Sequence, residues 1–168
     1  MNVKTSYMGL LLAFALILSY IETIIPFQFG IPGIKLGFAN LAVILTLCLL
    51  GYREAFLLTV VKVILCGFLF GNLTMIIYSL SGAVTSFLAM ALMVKSGRFH
   101  IPVVSAVGGV MHNMGQLAVA FVIVSTYGIF YYVPILILAG LLTGILIGIA
   151  ASLVMPYVKG IMERGNHL

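Results

Sequence analysis

The chain has 168 residues, of which 64% are hydrophobic and 7% are charged, and its formal net charge is +5. A soluble domain carries roughly a quarter charged residues, so this chain lacks the polar side chains that would cover a soluble core. The composition excludes a soluble globular protein and predicts a single integral membrane domain over residues 1–168.

The apolar segments predict helices rather than strands. A membrane-spanning helix needs about 20 apolar residues, and the chain divides into six such segments. A membrane β-barrel would alternate polar and apolar residues, whereas runs such as residues 10–21 show no such alternation. The predicted fold class is therefore all-α, a six-transmembrane-helix bundle, with helices at residues 6–25, 37–51, 52–70, 73–94, 102–126 and 130–158.

An irregular segment separates the first two predicted helices. Residues 26–42 contain two prolines, three glycines, a lysine and an asparagine, which one regular helix would not accommodate. Irregular backbone at membrane depth is tolerated only against protein or a wet cavity, because lipid cannot hydrogen-bond to it. Residues 26–36 are therefore predicted to form a lid over a binding site.

Basic residues favour a topology with both termini in the cytoplasm. That arrangement gives the outer loops only Lys35, and Lys62 lies within a predicted span. The inner side would receive six basic residues, as the positive-inside rule requires: Lys4, Arg53, Lys95, Arg98, Lys159 and Arg164.

Small residues recur at four-residue spacing in the first and last helices. The last helix contains Gly140, Gly144, Gly148 and Ser152, and the first contains Gly9 and Ala13. Such spacing allows close approach of helix backbones in lipid. For the last helix we favour packing within the bundle over docking of another subunit, and for the first helix both interpretations stay open.

Few ionisable side chains fall well inside the predicted spans. Glu22 lies near the outer end of the first helix, and Lys62 and His112 lie near the middle of the third and fifth. Such residues cost at least about 2.5 kcal/mol in lipid and are usually paired or functional. Glu22 and Lys62 could pair with each other, or Lys62 could contact an anionic ligand group.

Further polar residues predict a pocket that opens outward. His112 and Gln116 lie one turn apart on one helical face, next to Asn113. The outer half of the predicted bundle is richer in polar side chains than the inner half. The predicted substrate-binding residues are Glu22, Lys35, Asn40, Lys62, Asn72, Tyr78, His112, Asn113 and Gln116.

Several functions are disfavoured by missing residues. The acidic residues are Glu22, Glu54 and Glu163, and no aspartate occurs. Prenyl diphosphate synthases hold magnesium with aspartate-rich motifs, which this chain cannot build. It also lacks a phosphate-binding loop and Cys/His metal spacing. We predict no enzymatic activity, no metal, no cofactor and no nucleic-acid partner; Cys48 and Cys66 are read as ordinary apolar residues.

Four sequence stretches resemble a bacterial family whose members are described as Gx transporters or as heptaprenyl diphosphate synthase component I. The resemblance covers nearly the whole chain, from Gly9 through the last-helix glycines. The motifs are Pro32-Gly33-Ile34-Lys35-Leu36-Gly37-Phe38-Ala39-Asn40, Gly71-Asn72, Tyr78-Ser79-Leu80-Ser81-Gly82 and His112-Asn113-Met114-Gly115-Gln116.

The six-span layout with a short second helix also resembles the substrate-binding S components of energy-coupling factor (ECF) transporters. This resemblance implies a substrate that enters from outside beneath the loop joining the first two helices. It implies that Gly9 and Ala13 dock a transmembrane coupling protein, which acts with ATPase subunits in the bacterial cytoplasmic membrane.

Three hypotheses follow. The first is a small-molecule-binding subunit of an ECF-type transporter, with a vitamin-like ligand such as a flavin. The second is a non-catalytic membrane subunit of isoprenoid or quinone metabolism, or of membrane electron transfer, which would bind a lipid tail through a cavity open toward lipid. The third, a self-sufficient secondary transporter, should show inverted internal repeats, and none is evident in the sequence.

Overall fold

The computed structural model describes residues 3–24, 37–125 and 127–165, and these residues are almost entirely helical. The all-α prediction is confirmed. Helix α3 has its predicted bounds, α2 is shorter than predicted and α6 extends further, while the predicted lid at 26–36 lies outside the described residues. The helices are α1 (Val3–Ile24), α2 (Asn40–Leu49), α3 (Tyr52–Phe70), α4 (Leu73–Ser96), α5 (Ile101–Val124), a 3-10 helix (Tyr127–Tyr132) and α6 (Val133–Gly165).

Four helices in the described part of the chain, α1, α4, α5 and α6, are long and apolar enough to cross a membrane. Helix α2 has 10 residues and is about 15 Å long, half the hydrocarbon thickness. Helix α3 has 19 residues but carries Arg53, Glu54 and Lys62. The chain is therefore a multi-pass membrane protein, and the prediction of six full crossings stays a prediction.

Polar and glycine residues set the helix ends around α4. The side chain of Asn72 accepts a hydrogen bond from the backbone N–H of Met75 (2.9 Å), which caps the start of α4. Gly97, with φ of 65°, ends α4 in the left-handed conformation that glycine adopts without strain. Short connections of this kind place α3, α4 and α5 antiparallel to one another.

Both described ends of the chain lie at the same end of the bundle. Lys4 forms an ion pair with Glu54 (2.6 Å) at the start of α3, and the Tyr7 hydroxyl donates to the carbonyl of Ile161 (3.4 Å) in α6. We call this the basic end, because the antiparallel helices bring six basic residues there: Lys4, Arg53, Lys95, Arg98, Lys159 and Arg164. The opposite end contains the α3–α4 turn and the 3-10 helix.

The shortest α-helix of the described residues lies at the centre of the bundle. Helix α2 packs against α1, α3, α4 and α6, and all six of its residues from Ala42 to Leu47 are buried. A helix that is apolar all round suits a buried position, and this one is too short to cross a membrane by itself. The outer helices surround α2 and expose aliphatic and aromatic side chains such as Phe68, Leu92 and Val122.

Glycines allow α5 to pack closely against its neighbours. A Cβ on Gly144 would lie 2.6 Å from Ala106 Cα, and one on Gly140 would lie 2.8 Å from Val110 Cα. The packing interpretation of the α6 glycines is therefore confirmed. On the other side of α5, a Cβ on Gly82 of α4 would lie 2.7 Å from the carbonyl oxygen of His112. Helix α5 is held by close backbone contact on both sides.

Candidate functional site

A cavity of about 170 Å³, which we call the outer cavity, lies in the half of the bundle nearer the opposite end. Five helices and the turn before α2 contribute to its walls. The lining residues are Ser19, Glu22 and Thr23 of α1, Gly37, Ala39 and Asn40 around the start of α2, Lys62, Val63, Cys66, Gly67, Phe70 and Gly71 on and just after α3, Met75 and Ser79 of α4, and His112 of α5.

The amino end of α2 lies at this cavity. Gly37 adopts φ of 77°, which glycine tolerates better than other residues, and its carbonyl accepts the N–H of Asn40 (2.8 Å). One carboxylate oxygen of Glu22 accepts the backbone N–H groups of Gly37 and of Phe38 (3.1 Å to the latter). These two N–H groups belong to the turn before α2, whose carbonyls accept the N–H groups of Asn40 and Leu41, and a carboxylate near the amino end of a helix is favourable. Glu22 thus fixes the start of α2 to the end of α1.

Lys62 supplies a buried ammonium group to the same cavity. Its side chain is only 6% exposed, and Nζ donates to Oδ1 of Asn40 at 3.3 Å. Burying an ammonium group is costly unless charged or polar groups solvate it. Glu22, Asn40 and Lys62 come from three different helices, and all three line the outer cavity.

His112 joins the outer cavity to a second, smaller one. This inner cavity, of about 20 Å³, shares Gly37, Asn40 and His112 with the outer cavity and extends toward the basic end. Asn113 also lines it, and its Nδ2 donates to the carbonyl of Leu136 in α6 (2.8 Å). The remaining lining residues are Ser86, Met90, Ser105, Gly108, Gly109, Thr143, Gly144 and Ile147.

The other predicted site residues lie elsewhere. Asn72 is exposed and caps α4, and Tyr78 is half-buried on α4; neither lines the outer or the inner cavity. Gln116 is buried against Gly82, where a Cβ on the glycine would lie 2.8 Å from Gln116 Cγ, and it also lines neither cavity. Lys35 lies outside the described residues.

The proposed docking residues lie on the outer surface of the bundle. Gly9 and Ala13 are exposed on α1, and a Cβ on Gly9 would meet no atom within 4 Å. Exposed Leu10 and Ile17 extend the same helix surface. The described bundle leaves this part of α1 uncovered.

Hydroxyl side chains in both cavities were missed as site residues. Ser19 and Thr23 line the outer cavity, and Ser86 and Ser105 line the inner one. Single serines in apolar helices are common and gave no distinct signal. The spacing of Ser79 and Ser86 could have indicated a site, because residues seven apart lie on one helical face.

Comparison with models of protein families finds one family that matches most of the chain. The model of the family described as heptaprenyl diphosphate synthase component I matches residues 11–154, which include every described residue that lines the two cavities. No curated protein and no solved structure is significantly similar to the chain. Because the match covers most of its length, the chain belongs to the heptaprenyl diphosphate synthase component I (Gx transporter) family.

Proposed function

We propose that this protein is a membrane-embedded binding subunit for a small molecule, and that it binds this molecule without converting it. The observation that supports the proposal best is the meeting of Glu22, Asn40, Lys62 and His112 at one cavity. These side chains come from four helices of a membrane protein, where polar groups are costly and are usually retained for a substrate or ion.

The chemistry of the wall favours an anionic or carbonyl-rich part of the ligand. The Glu22 carboxylate already accepts the N–H groups of the turn before α2, so an anionic ligand group would be bound by Lys62, beside the partly positive amino end of that helix. Short helices that end inside a membrane protein present anion sites of this kind. The cavity of about 170 Å³ is smaller than the roughly 300–1,000 Å³ of typical drug-sized ligand pockets. The ligand is therefore compact, or it is a larger molecule such as a flavin that places only its polar part here.

We further propose that the protein acts as the S component of an ECF-type transporter in the bacterial cytoplasmic membrane. The positive-inside rule assigns the basic end to the cytoplasm, which orients the outer cavity toward the outside. The uncovered surface of α1 around Gly9 and Ala13 would contact a transmembrane coupling protein. Partner ATPases would then supply the energy for transport.

Ligand copurification tests the binding proposal. Small molecules that remain with the detergent-solubilised full-length protein are identified by mass spectrometry, for the wild type and for Lys62→Met. We expect one compound to be enriched with the wild type and lost with Lys62→Met. The control Lys95→Met removes an exposed lysine at the basic end and should retain the compound. Equal ligand content in all three proteins would refute the binding proposal. The transporter assignment is tested separately, by whether a coupling protein and ATPases copurify with the wild-type protein.

A second candidate is a non-catalytic membrane subunit associated with isoprenoid metabolism. The family description favours it, because it names a component of a prenyl diphosphate synthase. This candidate would bind a lipid tail through an opening between helices, whereas the first would bind a solute from water.

Cys66 distinguishes the two candidates, because it lines the outer cavity and Cys48 is the other cysteine in the chain. In a Cys48→Ser protein, a membrane-impermeant charged thiol reagent should modify Cys66 if the cavity opens to water. Modification only by an apolar maleimide that enters through lipid would favour the isoprenoid candidate.

A further inference from the structure

The inner cavity has room for one small group. Its volume of about 20 Å³ exceeds the roughly 10–15 Å³ that a water molecule requires. It adjoins the outer cavity at Asn40 and His112, so a molecule bound in the outer cavity could place a single substituent there.

Ser86 provides an unsatisfied hydroxyl at the inner cavity. Its side chain is 2% exposed, and Oγ has no hydrogen-bond partner among the described residues. The nearby serine Ser81, on the same helix, instead donates to the carbonyl of Gly115 (2.8 Å). A buried hydroxyl without a partner is unfavourable, so this site requires a group that the described residues do not supply.

The other walls define what that group can be. The Thr143 hydroxyl donates to the carbonyl of Ala139 (2.9 Å), and Asn113 Nδ2 donates to Leu136, so both residues retain oxygen lone pairs as acceptors. The hydrogen-bonding groups of this wall are satisfied by a group that accepts a hydrogen bond from the Ser86 hydroxyl and donates one to the oxygen of Thr143 or Asn113. A hydroxyl does both.

Charge argues against an ion in the inner cavity. The two cavities adjoin at Asn40, which accepts from Lys62, and at Gly37, which donates to the Glu22 carboxylate, so opposite charges already balance at their junction. An anionic group would be bound in the outer cavity, because Lys62 lines that cavity and does not line the inner one. The inner cavity therefore suits a neutral group.

We infer that the inner cavity is a subsite for a neutral hydroxyl, and that Ser86 selects ligands carrying a hydroxyl a few atoms from an anionic group. The inference rests on the proposed function, since it places the anionic group beside Lys62 in the outer cavity.

Pairs of carboxylic acids that differ only by one hydroxyl group test whether the inner cavity binds a ligand hydroxyl. Binding of propanoate, lactate, butanoate and γ-hydroxybutanoate to the detergent-solubilised full-length protein is measured by titration calorimetry. For at least one pair, the hydroxyl should tighten binding about tenfold, as expected for one buried hydrogen bond. Ser86→Ala should abolish this preference. Ser81→Ala, the matched change on the same helix outside both cavities, should retain it.

The outcomes separate this inference from the proposed function. If hydroxylated and unsubstituted acids bind wild type equally but binding needs Lys62, the subsite inference fails and the proposed function stands. If Ser86→Ala weakens both members of a pair equally, the inner cavity holds water rather than a ligand hydroxyl, and the inference also fails. If no carboxylate binds and Lys62→Met changes no ligand retention, the proposed function itself fails.

Discussion

The close packing of α5 against α6 can be tested by adding one methyl group. In Gly144→Ala, the new Cβ would lie 2.6 Å from Ala106 Cα and 2.6 Å from the carbonyl oxygen of Ser105, where ordinary contact begins at 3.4 Å. Both neighbouring atoms belong to the backbone, so no side chain can move aside. The two helices must separate by the difference, 3.4 − 2.6 = 0.8 Å.

Overpacking of this kind costs about 1–3 kcal/mol. Alanine recovers about 0.5–1 kcal/mol of helix propensity relative to glycine. We therefore expect Gly144→Ala to lower the free energy of unfolding by about 1–2 kcal/mol. Gly140→Ala should behave similarly, since its Cβ would lie 2.8 Å from Gly109 and Val110 backbone atoms, and it lines neither cavity.

Gly160→Ala is the matched control on the same helix, because its Cβ would meet no atom within 4 Å. It should leave stability unchanged or raise it by up to about 1 kcal/mol. The assay is heating of the detergent-solubilised protein followed by size-exclusion measurement of the monodisperse fraction. Equal midpoints for Gly144→Ala, Gly140→Ala and Gly160→Ala would refute the close α5–α6 contact.

Three further changes have definite expectations. Asn72→Ala should destabilise the protein by about 1 kcal/mol through loss of the α4 cap, whereas Asn72→Ser should retain most stability in the same heating assay. Gly37→Ala should cost about 1–2 kcal/mol because of the φ of 77°, and Gly37→Asn should cost less, since asparagine tolerates positive φ; equal losses would contradict this. The hydrogen bond from Lys4, together with the charge of Lys4, lowers the pKa of Glu54. The ion pair therefore stabilises the folded protein at pH values above the ordinary glutamate pKa, and this stabilisation is lost as the pH falls through the lowered pKa. Lys4→Ala should thus be slightly less stable than wild type at neutral pH and equal to it in acid; a difference that persists in acid would exclude the ion pair as its source.

Much of the fold was predictable because it depends on local composition. Continuous apolar runs predicted the helical class, and the bounds of α3 follow from Gly51 before it and Gly71 after it. The spacing of glycines in the last helix predicted close packing, since four-residue spacing places them on one face. The collection of basic residues at one end of the bundle also followed from the order of the helices.

The site was only partly predictable. Glu22, Lys62 and His112 were predicted to line the site because they are ionisable residues in apolar helices, and all three line the outer cavity. Asn72 was equally polar, but its side chain caps α4. The sequence does not distinguish these roles, because a polar side chain can hydrogen-bond a backbone group or line a cavity, and the choice depends on which way the residue faces.

The sequence by itself determined that this protein lies in a membrane, that it is built from helices, and that its polar residues are few. Tertiary structure alone decided that the short helix α2 lies at the centre and that its amino end meets Glu22 and Lys62. It also decided that Ser86 faces an enclosed space rather than a neighbouring helix. The physical reason is that hydropathy records whether a segment favours lipid, while the neighbours of each helix are set by packing between segments far apart in the chain.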